Sequence, residues 1–279
     1  MQRGRQGRPN RREIIAAGAA SVLALTGGLS VAAPVVAAGH VFHDRRGSGR
    51  RMPSDPGLSG VMVSNGRDVV LTDSEGRWRL PAAHLDSIFV IKPSGWTTPT
   101  GPGGVPRICA LQPLHASAAS PDAAGAAASR LPLTIDFALT RQDESAQFEA
   151  VMMADTQPAN ATELGYFCDD IVTGVVGCGA AFGINHGDVV FDDLSLYPRY
   201  LQILGTSGIP WHHCPGNHDI NSGAANDHTS RDTWKRVFGP RHYAFQHADA
   251  TFIILDNVYY HGHKPTDPNS GHYRGLIGA

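Results

Sequence analysis

Asp155-Thr156-Gln157, Gly187-Asp188 and Gly216-Asn217-His218-Asp219 decide how this chain is read. Each follows an apolar run of strand length: Phe148 to Met153, Ala180 to Asn185, and Ile209 to Cys214. Carboxylate, amide and imidazole groups at the C-terminal ends of successive strands converge on one crevice, where open α/β sheets bind ligands. Hard oxygen donors beside imidazole suit a divalent first-row metal, and one carboxylate can bridge two such ions. Each piece alone is ordinary. An acid just past a strand caps a turn, and Gly-Asp is a common turn pair. The three in order, each after a strand, point to a site.

The sequence between these pieces supports strand–helix alternation. Ala161 to Val176 predicts a helical segment with Asp169 and Asp170 on its solvent side. Leu194 to Leu204 predicts a second helix, with Leu196, Tyr200, Ile203 and Leu204 as its apolar stripe. Thr251 to Leu255 predicts a strand ending in Asp256-Asn257. Such alternation favours an α/β layered domain over residues 146–279.

Upstream the grain differs. Gly60 to Val63, the turn Ser64-Asn65-Gly66-Arg67 and Asp68 to Thr72 carry a hairpin signal. Arg77 to Leu80, Ser87 to Lys92 and Leu131 to Leu139 add further strands. Short strands at this spacing predict a small all-β sandwich over residues 39–140. Within it, residues 116–129 are low in complexity and read as a loop, and Arg141 to Gln147 is a polar linker.

Arg3, Arg5, Arg8, Arg11 and Arg12 precede an Ala/Gly-rich apolar stretch that ends near Val36-Ala37-Ala38. That order of charged, apolar and small-residue segments predicts a cleaved export signal over residues 1–38, and no stable membrane span after cleavage. Arg11-Arg12 followed by Glu13-Ile14-Ile15 resembles a twin-arginine signal, which implies the twin-arginine export machinery as a partner and a periplasmic, cell-surface or extracellular destination.

The formal net charge of −2 gives no global basic field for nucleic acid. The four cysteines, Cys109, Cys168, Cys178 and Cys214, form no zinc knuckle or CxxC pair, and their spacing leaves three disulfide pairings open. There is no His-Glu-x-x-His zinc-peptidase pattern and no Gly-x-Ser-x-Gly nucleophile elbow.

Through Asp155-x-Gln157, Gly187-Asp188 and Gly216-Asn217-His218-Asp219, residues 146–279 resemble a calcineurin-like metallophosphoesterase. The β-region, through Gly57 to Gly66 and Thr72 to Pro81, looks like a carboxypeptidase-regulatory-like or Cna-B-like domain, with Arg45, Arg46 and Arg50 where related domains carry a calcium loop. The resemblance implies a layered β-sandwich flanked by helices, and two divalent ions, Mn, Fe or Zn. Asp155 and Gln157 would hold the first ion, Asp188 would bridge both, and Asn217 would hold the second. His218 would act as general acid, and Asp219 would orient its imidazole. Gln157 stands where the family more commonly has His. Phosphate mono- or diesters are the implied substrates, hydrolysed by a metal-activated water.

The family pattern also has a later His and a Gly-His-x-His, which are not found after Asp219 in the expected order. His261-Gly262-His263 lies too early and lacks the second His at the right offset. The expectation is therefore a domain incomplete at its C-terminus, with weak metal affinity and little activity. The alternative is a non-catalytic exported binding or surface protein with a vestigial phosphoesterase domain. Asp188→Asn or His218→Ala separates the two, since it abolishes turnover in an enzyme and spares ligand binding in a surface module.

Overall fold

The computed structural model describes residues 36–81, 87–110, 134–267 and 270–276. The low-complexity stretch 116–129 and most of the expected export segment lie outside them. Its last three residues, Val36 to Ala38, open the first strand and pair with Arg79 to Pro81.

The N-terminal part contains two four-stranded sheets. One is built from β1 (Val36–His43), β4 (Arg77–Pro81), β6 (Trp96–Thr97) and β8 (Phe137–Arg141), in the order β4-β1-β8-β6. The other is built from β2 (Met62–Ser64), β3 (Val69–Leu71), β5 (Ile88–Val90) and β7 (Cys109–Ala110), in the order β3-β2-β5-β7. All pairs are antiparallel except β1 with β8. The expected hairpin forms: Asn65 Oδ1 accepts from the N–H of Arg67 and of Asp68, and Gly66 takes φ 89°, which a residue without Cβ adopts freely.

The second part begins with a parallel sheet of β9 (Ala150–Met153), β10 (Phe182–Asn185) and β11 (Trp211–His213), in the order β11-β10-β9. Between β9 and β10 runs a helical segment: α1 (Ala161–Tyr166), a π-turn over Phe167–Val172 and α2 (Thr173–Val175). Asn160 caps α1 by accepting from Thr162 and Glu163, and Glu163 reaches back to the N–H of Ala159. Between β10 and β11 runs α3 (Tyr197–Leu204), with Tyr197, Tyr200, Leu201, Ile203 and Leu204 buried. Leu196, expected on the stripe, is only half-buried, and Tyr197 takes the deeper place. After β11 come α4 (Asp227–Ser230) and α5 (Asp232–Phe238), then two antiparallel pairs, β12 (Tyr243–His247) with β13 (Ala250–Ile254) and β14 (Val258–Tyr260) with β15 (Tyr273–Gly275).

Period-two alternation gives the parallel sheet two different faces. Trp211 joins Tyr197, Tyr200, Leu204 and Trp234 on the helix side. Gly183 has to be glycine there, because a Cβ would run into the Trp211 ring. Phe182 and Ile184 enter the other core, together with Phe245 and Ile254 and with Val41, Val63, Leu80 and Val90 of the two four-stranded sheets. The β-region and the α/β region therefore share one core, within a compact unit spanning Pro34–Ala279. The expected polar linker is part of that packing. Glu144 sits against Lys92 at 2.7 Å, and it accepts from the N–H of Gly95 and of Ala248 at 2.9 and 2.7 Å.

Candidate metal centre

The three sequence pieces meet at the C-terminal end of the parallel sheet. The loops after β9 and β10 are tied by two backbone bonds, Asp155 N–H to Gly187 O and Gln157 N–H to Asp188 O, both 3.1 Å. Gly187 and Gly216 allow the loops after β10 and β11 to touch. A Cβ on Gly187 would crowd the Gly216 backbone, and one on Gly216 would collide with the Asp188 carboxylate. Asp188 is buried, and its Oδ1 accepts from the N–H of His218 at 3.0 Å. Sequence positions thirty residues apart are thereby fixed to one another.

The backbone at this point is held in a costly conformation. Five described non-glycine residues have positive φ, and four of them are here: Asp155 (52°), Gln157 (39°), Asp188 (50°) and Asp192 (60°). Left-handed backbone costs a non-glycine residue on the order of 1–2 kcal/mol, less for Asp, and persists only where the surroundings enforce it. Strain gathered on the expected ligands marks a place where side-chain position is enforced by the fold.

The donor atoms can be tested against a cation. The Gln157 amide lies between two carboxylates, with Nε2 2.9 Å from Asp188 Oδ2 and 3.4 Å from Asp155 Oδ1. Turning the amide by half a rotation presents its oxygen to the same two carboxylates, giving two anionic oxygens and one neutral one. That set fits one hard divalent ion. A second ion would have Asp188 and the half-buried Asn217. Among the described residues no group of three His, Cys, Asp or Glu gathers around one point.

His218 follows Asn217 directly, and its Nδ1 is 2.8 Å from Asp192 Oδ1. Phe191 stacks on the imidazole, with ring centroids 4.5 Å apart at 28°. The expectation that Asp219 orients this imidazole is corrected. Asp219 is fully buried and turned inward, where it accepts from the N–H of Gly216 at 2.9 Å, the Tyr197 hydroxyl at 2.9 Å and the N–H of Val189 at 3.2 Å. The reason is local: the tight turn Gly216 to Asp219 closes on its own carboxylate, which leaves His218 on the outer side. Burial raises the Asp219 carboxyl and those three donors hold it down, with burial prevailing. Asp219 shapes the loop, and Asp192 takes the place beside the imidazole. Two adjacent acids, Asp192-Asp193, just after the apolar Val189 to Phe191, were the available signal for it.

A buried hydroxyl network supports the loops from beneath. Asn185 donates to Tyr200 Oη at 2.8 Å and accepts from the N–H of Gly187, while Thr156 donates to Val189 O and lies 3.2 Å from Tyr200 Oη. Burial raises the Tyr200 phenol and keeps it neutral. Burial also pushes the Cys214 thiol up to about 12, and no described cysteine is disulfide-bonded, so no thiolate chemistry arises beside this crevice.

Hard oxygen donors and an imidazole thus meet in a strained loop cluster at the C-terminal edge of a parallel sheet. Residues 45–119 match the family described as N terminal of Calcineurin-like phosphoesterase. The match supports the calcineurin-like metallophosphoesterase family, whose activity is hydrolytic and whose members usually bind divalent metals. It lies within the β-region, N-terminal to every candidate ligand. No curated protein and no solved structure matches the chain.

Proposed function

We propose that the chain is an exported phosphoesterase that hydrolyses phosphate mono- or diesters in the crevice formed by Asp155, Gln157, Asp188, Asn217 and His218. The observation that carries this reading is the convergence of Asp155, Gln157 and Asp188 on strained backbone, with His218 locked onto Asp188 through its own N–H. Two divalent cations bound here would supply Lewis acidity toward the phosphate oxygens and lower the pKa of a water.

The protein's own part is positional. The His218 N–H positions Asp188 through its Oδ1, and the Gln157 amide beside Oδ2 would offer its oxygen to an ion once turned. With its Nδ1 on Asp192, His218 has Nε2 as the atom from which a proton reaches the leaving oxygen. Phe191 against the ring restricts its rotation and excludes water from one of its sides. The export machinery and the destination outside the cytoplasm belong to the same proposal and rest on the arginine-led N-terminal segment alone. Among the described residues no helix is long and apolar enough to cross a membrane.

The test is titration of Mn2+ into the purified chain, followed by Mn2+-dependent hydrolysis of p-nitrophenyl phosphate and bis-p-nitrophenyl phosphate. The expected result is Mn2+ binding and slow turnover in the parent, both lost in Asp188→Asn. Mn2+ binding that is unchanged in Asp188→Asn, or no binding at all, overturns the assignment.

A further inference from the structure

A second concave site lies apart from the candidate metal centre. An open cleft of about 460 Å3 separates the β2–β3 turn from α4, α5 and the segment leading into β12. None of Asp155, Gln157, Asp188, Asn217 or His218 lines it. Its described walls carry two guanidinium groups, Arg67 and Arg241, and the amine of Lys235, whose pKa burial lowers, and no carboxylate.

The cations differ in how far they are compensated. Arg241 pairs with Asp227 at 2.8 Å and reaches Asp256 at 3.7 Å, both behind the wall. Lys235 is nearly buried; its Nζ donates to His228 O at 3.2 Å and has Asp232 at 3.8 Å. Arg67 has no ion pair among the described residues, and its turn is fixed by Asn65, which also donates to Pro81 O. Its chain neighbour Asp68 is engaged by the Asn65 amide at 3.3 Å.

Two imidazoles complete the polar wall. Burial lowers the pKa of both His228 and His242, and Lys235 and Arg241 respectively lower them further, so both are neutral at pH 7. The N–H of Asp256 donates to His242 Nδ1 at 3.1 Å, which leaves the ring proton on Nε2 as a donor. Phe89 and Pro240 supply apolar wall. The volume exceeds that of a lone oxyanion and falls in the range of pockets that take small organic ligands.

We propose that this cleft binds a small organic oxyanion, a phosphate monoester or a carboxylate, with its charged head against Arg67, Lys235 and Arg241 and its body against Phe89 and Pro240. Guanidinium forks favour the doubly charged, three-oxygen phosphate head over a single carboxylate. The assignment is independent of the proposed phosphoesterase activity.

The experiment is an amide and imidazole NMR titration of the whole chain, freed of metal over a chelating resin, with phenyl phosphate and benzoate as probes of equal body and different charge. The expected result is a saturable shift of the Gly66 and Arg67 amides and the His242 ring, with phenyl phosphate binding more tightly. Arg67→Ala is expected to weaken phenyl phosphate at least tenfold without changing the melting temperature, and Arg67→Lys to restore part of the loss. Shifts confined to Gly187 and Gly216 overturn the proposal, since the anion then belongs to the candidate metal centre. An unchanged affinity in Arg67→Ala, or no saturable shift, overturns it as well.

Discussion

The Asp192 carboxylate lies 2.8 Å from His218 Nδ1 and does so from left-handed backbone, φ 60°. The contact is exposed on the Asp192 side, so its value is orientation of the ring more than stability. Asp192→Asn keeps the shape, tolerates the same φ and removes the charge. Mn2+-dependent turnover is expected to fall about tenfold to hundredfold, as for other groups that orient a functional imidazole. The melting temperature should stay with that of the parent. A fall in turnover accompanied by unfolding would assign Asp192 a purely structural role.

Gly216 is a tighter constraint. Its missing side chain leaves room for the Asp188 carboxylate, and the Gly216 N–H donates to Asp219. Gly216→Ala is expected to displace Asp188 and weaken Mn2+ binding at least tenfold, a loss of about 1.4 kcal/mol or more. Calorimetric titration with Mn2+ reads it directly. An unchanged affinity would mean that Asp188 does not touch the ion.

Acid sensitivity should come from two successive histidines of β11, within the parallel sheet. His213 is buried, with no partner for either ring nitrogen among the described residues, and burial pushes it down to about 3. His212, stacked on Phe245, is also pushed well down, first by burial and then by His213 and Lys92. Both folded pKa values lie below the unfolded value near 6.5, so the unfolded chain binds more protons as pH falls. Their contribution is fully present above about pH 6.5 and declines below it, by about 1.4 kcal/mol per pH unit for each ring. His213→Leu removes one of the two rings and no hydrogen bond. Urea midpoints at pH 7 and pH 5 should lie closer together in the variant, and the variant should be the more stable protein at pH 5.

Much of this was legible in the sequence, and the failures have physical causes. Runs such as Ile209 to Cys214 named the strands, and Asn65-Gly66 named a hairpin, because local backbone preference decides both. The apolar run Ala180 to Asn185 reads as a strand, but its sequence does not say what its faces meet; Val63, Leu80 and Phe245 fill the side of Phe182 and Ile184, and the two expected domains share a core. The resemblance implies that Asp219 orients the His218 imidazole. A four-residue turn can aim its last carboxylate inward, and here it does, onto the Gly216 N–H and the Tyr197 hydroxyl. Composition likewise made Arg141 to Gln147 a linker, because burial of a lone Glu depends on partners far away in sequence.

That Glu carries the last prediction. The Glu144 side chain is 3% exposed and meets Lys92 at 2.7 Å, with His247 Nδ1 at 3.4 Å. Burial raises its carboxyl, but Lys92, the N–H groups of Gly95 and Ala248 and the Ser94 hydroxyl outweigh burial and hold it at about 2. Lys92 moves the other way from a simple ion-pair gain: burial lowers it in spite of Glu144. The pair therefore stabilises chiefly through the carboxylate, and Lys92 is a charge that becomes expensive once Glu144 is gone. Glu144→Ala is expected to cost about 3–5 kcal/mol, and adding Lys92→Met should recover part of it by removing the stranded ammonium. Because the folded pKa is depressed, the Glu144 contribution is present above about pH 4.3 and is lost as pH falls toward 2. Stability measured against pH should show that acid limb in the parent and lack it in the double variant. An equal limb in both would place the acid sensitivity elsewhere in the shared core.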